Sequence, residues 1–380
     1  MRLCLICTEK LPVPPVRGGA IQIYIHHVAA QLRGRAAITV VSRDDPALPA
    51  YEEAGGITYV RLPGGDADRY YEAVARYLAA SPAFDVIELF NRPLQFQRIA
   101  QAGKGARLVL SLHNDLFGPD RIDPALARAV LEKADAVVTI SDHVRRGVAA
   151  EYPQWADKLR TIRSGVDVEA FLPRWEAGER RRRIRRRLRL RGRPVVLHVS
   201  RLSPRKGNHL VVEAMAAVRQ THPQAVLVMV GSSSYGSSRL DAYGREVWQA
   251  AVRLLGPDGV RLVGFTPPSL LPDLYLAGDL FVCASQWPEP LARVHYEAMA
   301  AGLPIITTDR GGNCEVVAEG VNGLIASPHD DPDAIARQIR RLLEDPHRRE
   351  ELGRRGRDLA MVHYRWERVA RELWTVLTGG

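Results

Sequence analysis

Arg201 and Lys206 lie in the stretch Arg201-Leu202-Ser203-Pro204-Arg205-Lys206-Gly207, between an apolar run at 195–200 and a helical pattern that starts at Asn208. A planar guanidinium fork and a compact ammonium beside a helix N-terminus suit a diphosphate. The lysine is conspicuous. The chain holds 5 lysines against 48 arginines, and Lys206 is the only lysine after residue 158. A sequence that writes arginine almost everywhere and keeps an ammonium here indicates a point charge that a guanidinium does not imitate. The plain alternative is two surface cations that follow a strand.

Two acids form the second constellation. Glu289 stands between Pro288 and Pro290, so its backbone is biased to an extended shape, and Pro290 suits the first position of a helix. Glu297 falls eight residues later, inside a helix expected at 293–301 and stopped by Gly302 and Pro304. Acids of this kind fix hydroxyls, and the adjacent helix N–H groups fix phosphate oxygens. The competing reading makes both ordinary solvent-facing acids. The next unit repeats the plan: a strand at 305–307, a loop Asp309-Arg310-Gly311-Gly312-Asn313, and Glu315-Val316-Val317 opening another helix.

Three further spots are candidates. The loop at 8–19 ends in Arg17-Gly18-Gly19 before a helical pattern, and paired glycines permit close backbone approach to a phosphate or sugar. It is not G-x-G-x-x-G, which argues against a nicotinamide dinucleotide. His113 follows an apolar run at 108–112, where a ring nitrogen can donate to or accept from a substrate hydroxyl. Base recognition is expected from backbone groups around Gly264 and Phe265. No G-x-S-x-G elbow supports Ser-His-Asp hydrolysis.

The elements that must position these residues alternate throughout. Strands are predicted at 3–7, 38–41, 58–61, 86–89, 108–112, 136–140 and 159–162, then at 195–200, 226–230, 261–263, 280–284 and 305–308, with helical patterns such as 21–32 and 123–133 between them. This is an α/β pattern of two Rossmann-like parallel sheets in tandem. In such sheets ligands sit outside the carboxyl ends of the strands, where the loops carrying these candidates are placed; Glu297, near the middle of its helix, projects toward that rim only if the helix tilts along it. The expected division is a first domain at 1–170, an arginine-rich linker or helix at 171–193, a second domain at 194–362, and a C-terminal helix at 363–380 packing across both, with the ligand cleft between the halves.

With 380 residues and 46% hydrophobic content, the chain has ample material for two cores. No run approaches a membrane span and no leader is evident, so a cytoplasmic protein without a membrane span is expected, with peripheral contact left open. The net charge of +10 is concentrated: residues 174–193 hold 11 arginines against Glu176 and Glu179. With Ile184, Leu188 and Leu190 interspersed and only Trp175 nearby for stacking, the segment reads as a solvated helix rather than a nucleic-acid site. Cys4 and Cys7 fall within one predicted strand on opposite faces, which argues against a metal or redox pair.

Together, Arg201 and Lys206, the spacing Glu289-x7-Glu297, the run Glu297-Ala298-Met299-Ala300-Ala301-Gly302-Leu303-Pro304 and the loop Gly311-Gly312-Asn313-Cys314-Glu315 resemble family 4 glycosyltransferases over almost the whole chain. Ser164-Gly165-Val166-Asp167 resembles that family's Asn-Gly-Val-Asp turn. The wording at 8–14 and 293–297 is similar to the spore-coat-associated bacterial members. The resemblance implies a GT-B fold, a UDP- or GDP-linked sugar donor on the C-terminal domain, a carbohydrate or other hydroxyl acceptor on the N-terminal one, retention at the anomeric carbon, and neither metal nor other cofactor. It implies that Arg201 and Lys206 offset charge on the leaving diphosphate, that Glu289 meets donor-sugar hydroxyls and that Glu297 binds the ribose. Backbone at Leu291, Ala292 and Arg293 would support sugar or phosphate, with His113 near the transfer point and Gly18 and Gly19 in the family's glycine loop. The chain departs from the family where Pro290-Leu291-Ala292-Arg293 lacks the usual Phe-Gly and Ser164 replaces Asn. Those departures keep two alternatives open: an epimerase or hydrolase of nucleotide sugars, and a sugar-binding coat protein without catalysis.

Overall fold

The computed structural model describes residues 1–380. It divides into two compact units, Met1–Gly165 with Trp366–Gly380, and Val166–Arg365. The boundary falls inside the Ser164-Gly165-Val166-Asp167 turn, a few residues before the expected position at 170.

The first unit is built on β1 (Arg2–Ile6), β2 (Ala37–Arg43), β3 (Tyr51–Ala54), β4 (Ile57–Leu62), β5 (Val86–Phe90), β6 (Arg107–Leu112), β7 (Ala136–Thr139) and β8 (Leu159–Thr161). Their order is β3-β4-β2-β1-β5-β6-β7-β8, parallel except where β3 pairs antiparallel with β4. The central strands read as unbroken apolar runs because helices cover both sheet faces. Sequence patterning misses β3, which is polar and lies at an edge. Its signal is the Gly55-Gly56 turn, where both residues take positive φ (59° and 77°), as a two-residue hairpin requires.

The second unit is built on β9 (Val195–Val199), β10 (Val226–Val230), β11 (Val260–Gly264), β12 (Leu280–Cys283), β13 (Ile305–Thr308) and β14 (Gly323–Ala326), in the order β11-β10-β9-β12-β13-β14, all parallel. Its core packs the helices Asn208–Thr221, Ala242–Leu255 and Pro332–Glu344 on one face through Val211, Met215, Val247, Ala251, Ile335 and Ile339.

Three expectations change. No α-helix follows Asn313. The chain makes a short 3-10 turn at Asn313–Glu315 and runs on to β14, because Asn322 accepts from the Ala318 N–H and donates to the Val316 carbonyl, groups that a helix would need. The arginine-rich segment is not a separate linker. Its helix, Gly178–Arg187, belongs to the second unit, held by buried Ile184 and by arginines on one face. The last helix, Trp366–Thr378, belongs to the first unit, where the Trp366 ring stacks on His27 with centroids 4.8 Å apart.

Cys4 and Cys7 are both buried, and burial pushes the Cys7 thiol up to about 12, so neither offers a thiolate near neutrality. No helix is long and apolar enough to cross a membrane.

Candidate functional site

In the second sheet the chain runs from β9 outward to β10 and β11, then returns to place β12 on the other side of β9. The β9/β12 boundary is therefore the topological switch point, where loops leaving adjacent strands diverge and open a crevice at their carboxyl ends. The loop after β9 carries Arg201 and Lys206, and the loop after β12 carries Glu289.

These two loops meet through one ion pair. Lys206 Nζ stands 2.5 Å from Glu289 Oε2, and the side chains are 19% and 9% exposed. The same oxygen accepts from Ser285 Oγ at 2.9 Å and from Trp287 Nε1 at 2.8 Å. Burial alone would lift the Glu289 pKa, but the Lys206 charge and the three donors outweigh it and hold the carboxyl below its ordinary value. Its second oxygen, Oε1, has no hydrogen-bond partner within the chain. Glu289 is thus a charged acceptor with one side saturated and one side uncommitted. Lys206 spends one of its three N–H donors on this bond and keeps two for a ligand.

Backbone geometry fixes both partners. Gly207, with φ 64°, lets the chain turn from Lys206 into the Asn208–Thr221 helix, and a Cβ there would lie 2.1 Å from the Ala284 carbonyl oxygen. Gln286 N–H donates to the Arg205 carbonyl at 2.8 Å, which ties the two loops together again. The loop after β13 supports Glu289 from behind. Gly311, with φ 64°, sits where a Cβ would be 2.0 Å from the Glu289 carbonyl oxygen, and the Gly312 N–H donates to that same oxygen at 2.8 Å. No other residue type fits at 207 or 311 without displacing backbone.

Glu297 is 4% exposed. Its Oε2 accepts from the Tyr275 hydroxyl at 2.8 Å and its Oε1 from Arg293 Nη2 at 2.9 Å. The reading of both acids as solvent-facing is overturned, because burial and paired donors hold each one. Glu297 does not touch the Lys206–Glu289 pair. It forms a second cluster on the helix Arg293–Ala300, whose N-cap residue, Ala292, has no capping side chain. Leu291 and Ala292 are buried just before that helix. Arg201 is exposed, with its guanidinium 5.1 Å from the Tyr235 ring centroid, and is the least constrained of the four. Phe265 follows Gly264 at the end of β11; its N–H is taken by Ser238 Oγ at 3.1 Å, and its ring lines a groove of about 740 Å³ beside Trp248, Leu262 and Leu270.

In the first unit the switch point lies between β1 and β5. Gly18 and Gly19 have φ 79° and 101° and turn the chain into the helix Ala20–Leu32; a Cβ at Gly19 would collide with Gln22 Oε1 at 2.1 Å. Glu9 and Arg92 close the β1 and β5 ends through paired contacts of 2.6 and 2.8 Å. His113 sits at the end of β6. Its N–H donates to Asn91 Oδ1 at 2.7 Å, and its ring meets Tyr24 edge-on with centroids 4.8 Å apart.

Sequence reasoning passed over Ser285, Trp287 and Tyr275. A signal existed for Trp287: in an extended segment, residues two apart share a side, and Trp287 precedes Glu289 by two. Tyr275 had none, since its partner lies 22 residues away across the fold.

Residues 19–165 match the glycosyl transferase 4-like domain family, and residues 180–359 match the glycosyl transferases group 1 family. Spore coat protein SA of Bacillus subtilis is 41% identical over 378 residues, 99% of each chain. The GDP-mannose-dependent alpha-(1-6)-phosphatidylinositol monomannoside mannosyltransferase of Mycobacterium tuberculosis is 29% identical over 96% of each. The crystal structure of Anabaena HepE in complex with UDP-glucose is similar in fold, with a TM-score of 0.82 at 23% identity over 100% of both chains.

Proposed function

The chain belongs to the group 1, family 4-like glycosyltransferases of GT-B fold, and from that premise we propose that it moves a hexose from a UDP- or GDP-sugar to an acceptor hydroxyl, with retention at the anomeric carbon and without a metal. The observation that carries this reading is the Lys206–Glu289 pair at the β9/β12 switch point, with two ammonium donors and one carboxylate oxygen left for a ligand.

As the sugar–phosphate bond lengthens, negative charge grows on the diphosphate. Lys206, held in place beforehand by Glu289, and Arg201 offset that charge in the role a metal fills elsewhere. Glu289 Oε1 accepts from a hydroxyl of the donor sugar, which orients the ring and keeps its anomeric carbon at the diphosphate. Glu297, immobilised by Arg293 and Tyr275, retains lone pairs for the ribose hydroxyls. Backbone N–H groups opening the Arg293–Ala300 helix favour phosphate oxygens, and Ala292 lets a ligand approach where the family has glycine. Phe265, at the end of β11, is assigned to the base. The first unit, with His113 and the Gly18-Gly19 turn, is assigned to the acceptor and the point of transfer. A cytoplasmic location is proposed with this reading, because the donor is a nucleotide sugar.

Lys206→Ala tests it. With UDP-glucose and GDP-mannose as donors and a panel of sugar acceptors, turnover by the variant is expected to fall about 100- to 1000-fold, the loss of one contact to developing charge. Unchanged turnover overturns the assignment. Donor consumption at the full rate without any acceptor identifies a hydrolase or epimerase instead.

A further inference from the structure

The loop that carries Arg201 and Lys206 rests on a buried polar network. His198, on β9, is 1% exposed, and Asn208, the first residue of the following helix, is fully buried. His198 Nδ1 lies 2.9 Å from the Val282 carbonyl oxygen on β12, which only accepts, so the ring proton sits on Nδ1 and Nε2 is an acceptor. Asn208 Nδ2 supplies the donors, one to His198 Nε2 at 2.9 Å and one to Ser200 Oγ at 2.8 Å. The Ser200 hydroxyl then donates to the Arg201 carbonyl at 3.0 Å. On the other side of the amide, Asn208 Oδ1 accepts the Ser203 N–H at 2.9 Å. The Ser200 hydroxyl also lies 2.9 Å from His198 Nε2, so Asn208, His198 and Ser200 close a triangle of contacts around that acceptor.

The network spans both strands of the switch point and ends on the backbone of residues 201 and 203. Beyond Ser203, the Lys206 N–H bonds back to the Ser203 carbonyl at 2.9 Å. The amide of residue 208 therefore reaches both cations through the backbone while touching neither head group. Burial keeps the imidazole neutral, pulling its pKa down to about 4, so the acceptor at Nε2 persists at neutral pH.

We infer that Asn208 is a positioning residue for transfer, fixing the Arg201 to Lys206 loop through His198 and Ser200 so that the two cations are set for the diphosphate before it arrives. This rests on the role proposed for Lys206. The amide is required because it alone combines two donors with one acceptor at this size. A carboxylate in its place keeps the bond to Ser203 and loses both donors.

The experiment uses the full chain, with UDP and GDP as calorimetric probes and the donors above for kinetics. Asn208→Asp is expected to lower kcat at least 10-fold with the donor KM within about threefold, because the loss falls on the transition state rather than on ground-state binding. Ser200→Ala, which leaves the Asn208–His198 bond intact, is expected to lower kcat two- to fivefold, and it keeps the inference testable if the aspartate variant does not fold. In a Lys206→Ala background the Ser200→Ala substitution is expected to cost less than twofold, since the loop then has little left to position. The inference is overturned if both Asn208→Asp and Ser200→Ala keep kcat within twofold. It is overturned equally if their losses match only a smaller folded fraction, seen as unchanged nucleotide affinity with reduced binding stoichiometry. If Lys206→Ala itself keeps full turnover, the site assignment has failed; if that variant is inactive while the other two are normal, only the present inference has.

Discussion

The two ends of β12 carry ion clusters of similar composition and different consequence. At the carboxyl end, Glu289 meets Lys206 beside an uncommitted oxygen and two unspent ammonium donors. At the amino end, Asp279 is enclosed: Arg181 lies 2.6 Å from Oδ1, Arg185 lies 3.3 Å from Oδ2, and the Val195 N–H donates to Oδ2 at 2.8 Å. Arg181 and Arg185 also bond the carbonyls of Leu276, Ala277 and Gly278. This second cluster fastens the Gly178–Arg187 helix to the sheet. Charge count does not separate the two; position along a parallel strand does, because loops and helix N-termini converge only at the carboxyl end. The arginine excess that dominates the net charge is thus partly a structural fastener.

The contrast predicts a clean division of mutant phenotypes. Lys206→Ala has the largest effect, about 3 to 4 kcal/mol in transition-state stabilisation, measured as kcat/KM. Asp279→Ala is expected to cost about 3 kcal/mol of folding stability, since it leaves the partly buried guanidiniums of Arg174, Arg181 and Arg185 without their acid. Urea unfolding measures that loss, and the folded variant should keep the wild-type donor KM. A changed KM at Asp279, with stability intact, would erase the distinction between the two ends.

Acid sharpens the comparison. Burial lowers His198 and His295 to about 4, against 6.5 for a fully solvated histidine side chain. The unfolded chain therefore binds more protons between those values, so the stability gained by keeping the rings neutral is complete above pH 6.5 and lost as pH falls toward 4. The full contribution is on the order of 3 kcal/mol for each ring. Glu289, held below its ordinary value, acts in the same direction at still lower pH. Urea midpoints measured from pH 7 to 4.5 should fall steadily, and His198→Phe should flatten part of that slope.

Smaller effects follow. Trp287→Phe removes one of three donors to Glu289 Oε2 and keeps the ring; a loss of about 1.5 kcal/mol, or roughly tenfold in kcat/KM, is expected. Replacing Arg182, Arg183 and Arg186 together by Gln should move stability by less than about 0.5 kcal/mol and leave turnover unchanged, because these side chains are exposed and Glu179 is their acid neighbour.

Much of the site was legible because its determinants are local. Prolines flanking Glu289 set an extended segment, and Lys206 stood out in an arginine-writing sequence. The alternation of apolar runs placed most strands. What escaped depends on contacts between distant segments. Glu297 could be read as solvent-facing because Tyr275 is remote in sequence, and the helix expected after Asn313 fails through the side chain of Asn322. The polar edge strand β3 has no core face to pattern it. The linkage from Val282 through His198 to Asn208 joins two strands that become neighbours only when the sheet forms.

A crystal structure of the chain with bound UDP tests the central claim most directly. The account predicts a diphosphate at the carboxyl ends of β9 and β12, with its oxygens within hydrogen-bond distance of Lys206 Nζ and the Arg201 guanidinium and the ribose at Glu297. A nucleotide bound elsewhere, with the Lys206–Glu289 pair untouched, would contradict it.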